Sequence, residues 1–306
     1  MLHADDGLLD ELKAGVKTMF GGGPLTPGGA ASDKQFQGLL WAAWMDEAAS
    51  DIYGILNCGP SFALNLAFFF AALNAPQGGL GPGDGPTLRT ESGFDPRNPS
   101  REMDVHPTDI LRLSLAIGAI GKLAGLTAAT RKSCIAELKS LIKLCAPGAR
   151  GIKLSGNIFV DIHSALPVDL TLPIAKMQAA AEKVGAFIAT AKLGTLDGHS
   201  IQEIETWDQT DETLVHRIAE NLNAGLSVVA LGDDAQLLAG ATRAVIDAPE
   251  KYAATSRLLE QALDESFGRD PIWSPVHPDH FRVSMVTWTE DNPAPGWSIT
   301  KLTGQK

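Results

Sequence analysis

The sequence predicts a mainly α-helical fold, a helical bundle with a small C-terminal β-hairpin. Apolar residues recur at helical spacing over most of the chain, and Ala and Leu dominate those stretches. Near the C-terminus the pattern changes to alternation with period two. With 306 residues, 44% hydrophobic and 20% charged, the chain has enough apolar surface for a real core and belongs with globular proteins, not disordered ones. That length suits one large or two packed domains, and the expected division separates a helical region, 1–146, from a second, 147–306, which ends in the hairpin.

In chain order, Leu8, Leu9, Leu12, Val16 and Met19 make a short amphipathic helix over Leu8–Phe20, stopped by Gly21-Gly22-Gly23-Pro24. Ser32-Asp33 caps a long helix expected from Lys34 to Asn57. Phe62 to Asn74 is a second, nearly all-apolar and hence interior helix. Pro76 to Val105 is a long Gly- and Pro-rich connection without an expected helix or strand, a length associated with lids and binding loops. Its glycines lack the following Gly-Lys-Ser/Thr and the preceding strand of a phosphate loop.

Thr108–Ala124 and Thr127–Leu144 form an expected antiparallel helix pair with Gly125 at the joint. Pro147–Asp161 is expected to be irregular or briefly extended. Helices follow at Pro173–Ala191, Asp211–Leu222, Asp233–Ile246 (capped by Asp233 or Asp234) and Lys251–Ser266. Phe281–Thr289 and Trp297–Leu302 then alternate around the turn Asn292-Pro293-Ala294-Pro295-Gly296, giving the hairpin.

The net charge of −11 and pI near 5.1 disfavour nucleic acid and anionic membrane as partners, because both need Lys and Arg to neutralise phosphate. Cys58, Cys134 and Cys145 are odd in number and form no Cys-x-x-Cys, so free thiols in a reducing compartment are expected. The acidic start, Met1 to Asp6, lacks the basic and apolar regions of a signal peptide, and the expected location is cytoplasmic. Ile52 to Leu73 carries no charge, but Gly59-Pro60 and Asn65 interrupt it and no Lys or Arg flanks it. Two buried helices broken at Gly59-Pro60 are expected, not a membrane span.

Chemistry is concentrated in two short patterns. Glu47 and Asp51 are four residues apart on one helix face, where like charges repel unless a metal, an Arg or a protonated His lies between them. Trp41, Trp44, Ile52 and Ile55 around them imply partial burial, which sharpens that need. The alternative is a solvated or Arg-paired helix face. After the long loop, His106-Pro107-Thr108-Asp109-Ile110-Leu111-Arg112 opens another helix; by itself it is also an ordinary helix start with Pro near the first turn.

Taken together, these patterns resemble the gluzincin zinc metallopeptidases of the CAAX-prenyl-protease and heat-shock-protease type, over about residues 35–125. In that family a helix carries Glu-x-x-x-Asp and a later His-Pro-x-x-x-x-Arg begins another. The resemblance implies Glu47 as a zinc ligand and Asp51 as the residue that orients a zinc-binding histidine. It implies His106 as the group that stabilises the oxyanion and Arg112 as a brace of the site. The departure is the metal itself. Catalytic zinc takes three protein ligands and a water, and two of those ligands with the general base come from His-Glu-x-x-His. None of His3, His106, His163, His199, His216, His277 and His280 lies in that motif.

Three further clusters are weaker. His277-Pro278-Asp279-His280 offers two imidazoles to a metal that needs more ligands. Asp161-Ile162-His163 is a carboxylate–imidazole pair without a nucleophile beside it, and Gly232-Asp233-Asp234 reads as a helix start. The expectation is a degenerate or incomplete metallopeptidase-like protein, inactive alone, holding no cofactor by itself and zinc only if another chain completes the site. It would bind a protein partner. The competing readings are a helical scaffold with a buried ion network, and an active metallohydrolase that recruits His3, His163 or the His277/His280 pair.

Overall fold

A computed structural model describes residues 6–21, 32–74, 87–161, 164–205, 207–269, 281–285 and 297–301. It is mainly helical, as the apolar spacing predicts. The chain forms two compact units, Met1–Thr213 and Leu214–Lys306, so the division expected at 146/147 falls inside the first.

The first unit opens with α1 (Asp6–Met19), which buries Leu12 and Val16. The long helix expected over 34–57 is instead two, α2 (Asp33–Ala43) and α3 (Met45–Cys58). Ser32 caps α2 in a reciprocal capping box with Gln35. The break falls on Trp44, whose ψ of 5° leaves the helical range. No Gly or Pro marks it. Tertiary anchoring does the work: the buried Trp44 indole donates to the Asp104 carbonyl (2.9 Å) and meets Trp41 edge to face at 5.4 Å.

α3 and α4 (Pro60–Leu73) separate at Gly59, where φ of +67° favours glycine, and Pro60 takes the first helical turn. The uncharged stretch is therefore two helices, as its Gly-Pro break predicts. Among the described residues no helix is long and apolar enough to cross a membrane.

The connection before α5 carries a strand that its composition hid. β1 (Glu91–Ser92) pairs in parallel with β2 (Gly151–Asp161), and β2 pairs antiparallel with β3 (Ser164–Pro173), Gly151 opposite Pro173 and Phe159 opposite Ala165. The segment expected to be irregular or briefly extended over 147–161 is thus extended for eleven residues as one arm of a hairpin. Ile152, Leu154 and Ile158 alternate onto the buried face with Val168 opposite, the period-two signal that Gly156 interrupts in the sequence.

α5 (Asp109–Ile120) is the centre of the unit, with ten of its twelve residues buried. α6 (Ala128–Cys145) packs on it after the short turn at Gly125, and Thr127 caps α6 by accepting from the Thr130 amide. α7 (Ile174–Thr190) crosses α5 where Gly118 faces the backbone of Glu182 and Gly185 faces that of Leu115. A short α8 (Ile201–Ile204), with its own Ser200–Glu203 capping box, follows. All three cysteines are free; Cys134 and Cys145 are buried and Cys58 is partly so.

α9 (Gln209–Asn223) leads into the second unit, which adds α10 (Asp234–Asp247) and α11 (Tyr252–Arg269). Asp233 caps α10, as its sequence predicts. Ile218, Leu222, Val228, Leu237, Ala244 and Ala262 form a separate core there. β4 (Phe281–Met285) and β5 (Trp297–Lys301) pair antiparallel as the expected C-terminal hairpin.

Candidate functional site

The four residues singled out from the sequence come together. α3 carries Glu47 and Asp51 on one face, and α5 brings Arg112 across to them although the two patterns are some sixty residues apart. Arg112 grips Asp51 with a two-pronged fork, Nε to Oδ2 at 2.7 Å and Nη2 to Oδ1 at 2.6 Å. The same Nη2 lies 3.4 Å from Glu47 Oε2, and the guanidinium carbon sits 4.9 Å from the Phe70 ring centroid. One cation thus lies between the two carboxylates whose spacing demanded one.

His106 precedes α5 and closes the other side of Glu47, its Nε2 3.3 Å from Glu47 Oε1. Its Nδ1 lies 2.7 Å from Asp104 Oδ1, an oxygen that also accepts the His106 backbone amide at 3.0 Å. An ionised carboxylate only accepts, so Asp104 makes Nδ1 the donor and turns Nε2 toward Glu47. Asp104 Oδ2 in turn accepts from Arg89 Nη1 at 2.7 Å, and Arg89 Nη2 donates to the Pro107 carbonyl at 3.2 Å. Asp109 ends the chain of contacts, accepting the Arg89 amide at 2.8 Å and the Asn74 amide group at 2.6 Å. Acidic and basic side chains alternate along Asp51, Arg112, Glu47, His106, Asp104 and Arg89.

Exposure grades along this line. The Asp51 side chain is 3% exposed and that of Arg112 13%, whereas Glu47 is 31% and His106 45% exposed. Burial pushes the Asp51 carboxyl up from its ordinary value, against the pull of the Arg112 fork. Burial also acts to lower Arg112, but the hydrogen bonds and charge of Asp51 outweigh it and hold the guanidinium above its ordinary value.

Asp104 behaves oppositely. Burial raises it, yet the hydrogen bonds from the His106 amide and ring and from Arg89 together hold its carboxyl below the ordinary value. A depressed carboxylate adds stability above its unfolded value of about 4, and that contribution is lost as pH falls through the lower folded value. Asp104→Asn is therefore expected to cost about 1–3 kcal/mol at neutral pH, the range for hydrogen bonds to a charged group. It should also flatten the stability curve below about pH 4; urea unfolding across pH checks both expectations.

A cavity of about 460 Å³ adjoins Asp104, lined also by Phe94, Asp95, Glu102 and Met103. The sequence reading missed Asp104, Arg89, Asp109 and Asn74 as members of the site. Asp104 had a signal, since an Asp two residues before a helix-opening His-Pro suits a side chain that turns back on the next amides. Arg89 had none.

The zinc that the resemblance implies needs three protein ligands with lone pairs free to bind it. Glu47 is engaged by His106 and Arg112, and Asp51 is gripped by Arg112 and, among the described residues, makes no hydrogen bond or ion pair with a histidine. Among the described residues no group of three or more His, Cys, Asp or Glu is placed to hold a metal ion. A gluzincin zinc does not fit these residues. His3, His163, His277 and His280 lie outside the described residues. Comparisons with protein-family models, with curated proteins and with solved structures find no match to this chain.

Proposed function

We propose that this chain is a metallopeptidase-like helical protein that carries out no metal-dependent hydrolysis by itself and serves to bind a protein partner. The single observation behind the reading is Arg112. Its guanidinium takes the position between Glu47 and Asp51 where a cation is needed, so the fold itself supplies the positive charge that the pair calls for. Glu-x-x-x-Asp and His-Pro-x-x-x-x-Arg then serve to join α3, α5 and the preceding loop by ion pairs. Partner binding is favoured by α4, a helix without charge whose outer face leaves Phe68 45%, Phe69 59% and Leu73 67% exposed.

Metal analysis of the purified chain, with thermal unfolding before and after chelation, tests the proposal. The expected result is less than one equivalent of zinc and a melting temperature that chelation leaves unchanged. One tightly held equivalent, lost in both Glu47→Gln and His106→Ala, would replace this reading with that of an active metallohydrolase.

A further inference from the structure

The three-stranded sheet has two edges of unequal kind. β1 covers one side of β2, where the Lys153 amide donates to the Thr90 carbonyl at 3.0 Å. The chain at 101–103 continues that cover: Asn157 donates to the Arg101 carbonyl at 2.8 Å and accepts from the Met103 amide at 3.0 Å. β3, ten residues long, is the other edge, and among the described residues no strand pairs with its outer side. A row of unpaired N–H and C=O groups of this kind is a template for another strand.

The register tells which β3 residues face outward. Lys153 and Asn157 turn their amides away from β3, so their partners Thr171 and Pro167 take non-hydrogen-bonded positions in the β2–β3 ladder. Alternation adds Ala165, Asp169 and Pro173 to this set, and all five residues are exposed. The Ile174 amide, one position beyond β3, donates to the Arg150 carbonyl at 3.0 Å, as the same phase requires.

Both prolines of β3 therefore stand where a missing N–H costs the hairpin no bond. The loss falls instead on an added strand, which finds no donor at Pro167 or Pro173. Between them, Asp169 puts a carboxylate at an outward position near the middle of the edge. A two-fold pairing centred on Asp169 sets it directly against its own copy, in a chain of net charge −11. One centred on Pro167 opposes two prolines and forms no bond there.

We infer that Pro167 and Asp169 close the outer edge of β3 to strand addition, and so keep two copies of this chain from joining edge to edge.

Sedimentation of the full chain over a concentration series tests this, with the parent beside Pro167→Thr/Asp169→Thr. The double substitution restores a donor and removes the charge. It should tighten self-association at least about tenfold over any that the parent shows. Adding Thr171→Pro, which takes away the neighbouring outward donor, should return association to the parental level. Melting checks the register independently. Thr171→Pro alone loses no ladder bond, whereas Leu170→Pro loses the one made opposite Leu154 and should melt roughly 6–12 °C lower. A double variant that associates no more than the parent would overturn the inference. So would association that Thr171→Pro leaves in place, or Leu170→Pro melting no lower than Thr171→Pro. A double variant that no longer folds would also overturn it, because the two residues would then hold the hairpin itself.

Discussion

Replacing Arg112 with Ala is expected to destabilise the protein by about 3–5 kcal/mol, the range for removing one partner of a buried ion pair. The loss has two parts. Asp51, 3% exposed, is left with its charge uncompensated, and Phe70 loses the guanidinium 4.9 Å from its ring centroid. Arg112→Ala/Asp51→Asn should recover part of the deficit, and Glu47→Gln a smaller part, because Glu47 is farther away at 3.4 Å and more exposed. The pH dependence carries a definite sign. Without Arg112, burial and the neighbouring Glu47 charge raise the folded-state value of Asp51, against the smaller lowering pull of His106. A raised group contributes fully below the unfolded value, about 4, and loses that contribution as pH rises through the folded one. The deficit of Arg112→Ala should therefore shrink as pH is lowered toward 4, and the Asp51→Asn double variant should lose that dependence. Urea unfolding of the three variants across pH decides it. Equal stability of Arg112→Ala and the parent would mean that no buried network holds α3 to α5.

The site was legible where local spacing dictates geometry. Glu47 and Asp51 share a helix face because they are one turn apart, and their charge implies a cation; Arg112 supplies it. The carboxylate that orients His106 was harder to see. Asp104 lies near the end of a Gly- and Pro-rich connection, and its role depends on Arg89 and on Trp44, whose indole holds the Asp104 carbonyl. Those contacts are tertiary and leave no periodic trace.

The same division runs through the fold. Caps and breaks fixed by local chemistry, such as Ser32, Asp233 and Gly59-Pro60, fall where the sequence puts them. The break at Trp44 does not, since aromatic packing ends α2 without a helix-breaking residue. The β2–β3 hairpin was concealed by Gly156, which removes one apolar position from the alternation of Ile152, Leu154 and Ile158.

Gly118→Ala and Gly185→Ala should each destabilise the chain by about 3 kcal/mol, at the upper end of overpacking costs. A Cβ at 118 would lie 1.9 Å from the Glu182 carbonyl oxygen, and one at 185 would lie 2.0 Å from that of Leu115. Both obstacles are backbone, so a rotamer change relieves neither and α5 must move away from α7. Intrinsic helix propensity pushes the other way, because Ala is favoured over Gly inside a helix by about 1 kcal/mol. The sign of the measured change therefore separates the two effects: a close helix crossing gives destabilisation, and a loose one gives stabilisation. Gly121→Ala is the internal control, since a Cβ there meets nothing nearer than 3.4 Å and should change stability little. For a unit of this size the crossing variants should melt roughly 6–12 °C below the parent. Displacing α5 also moves Arg112, so Gly118→Ala combined with Arg112→Ala should cost less than the sum of the two, a coupling that thermal unfolding of the double variant would read directly.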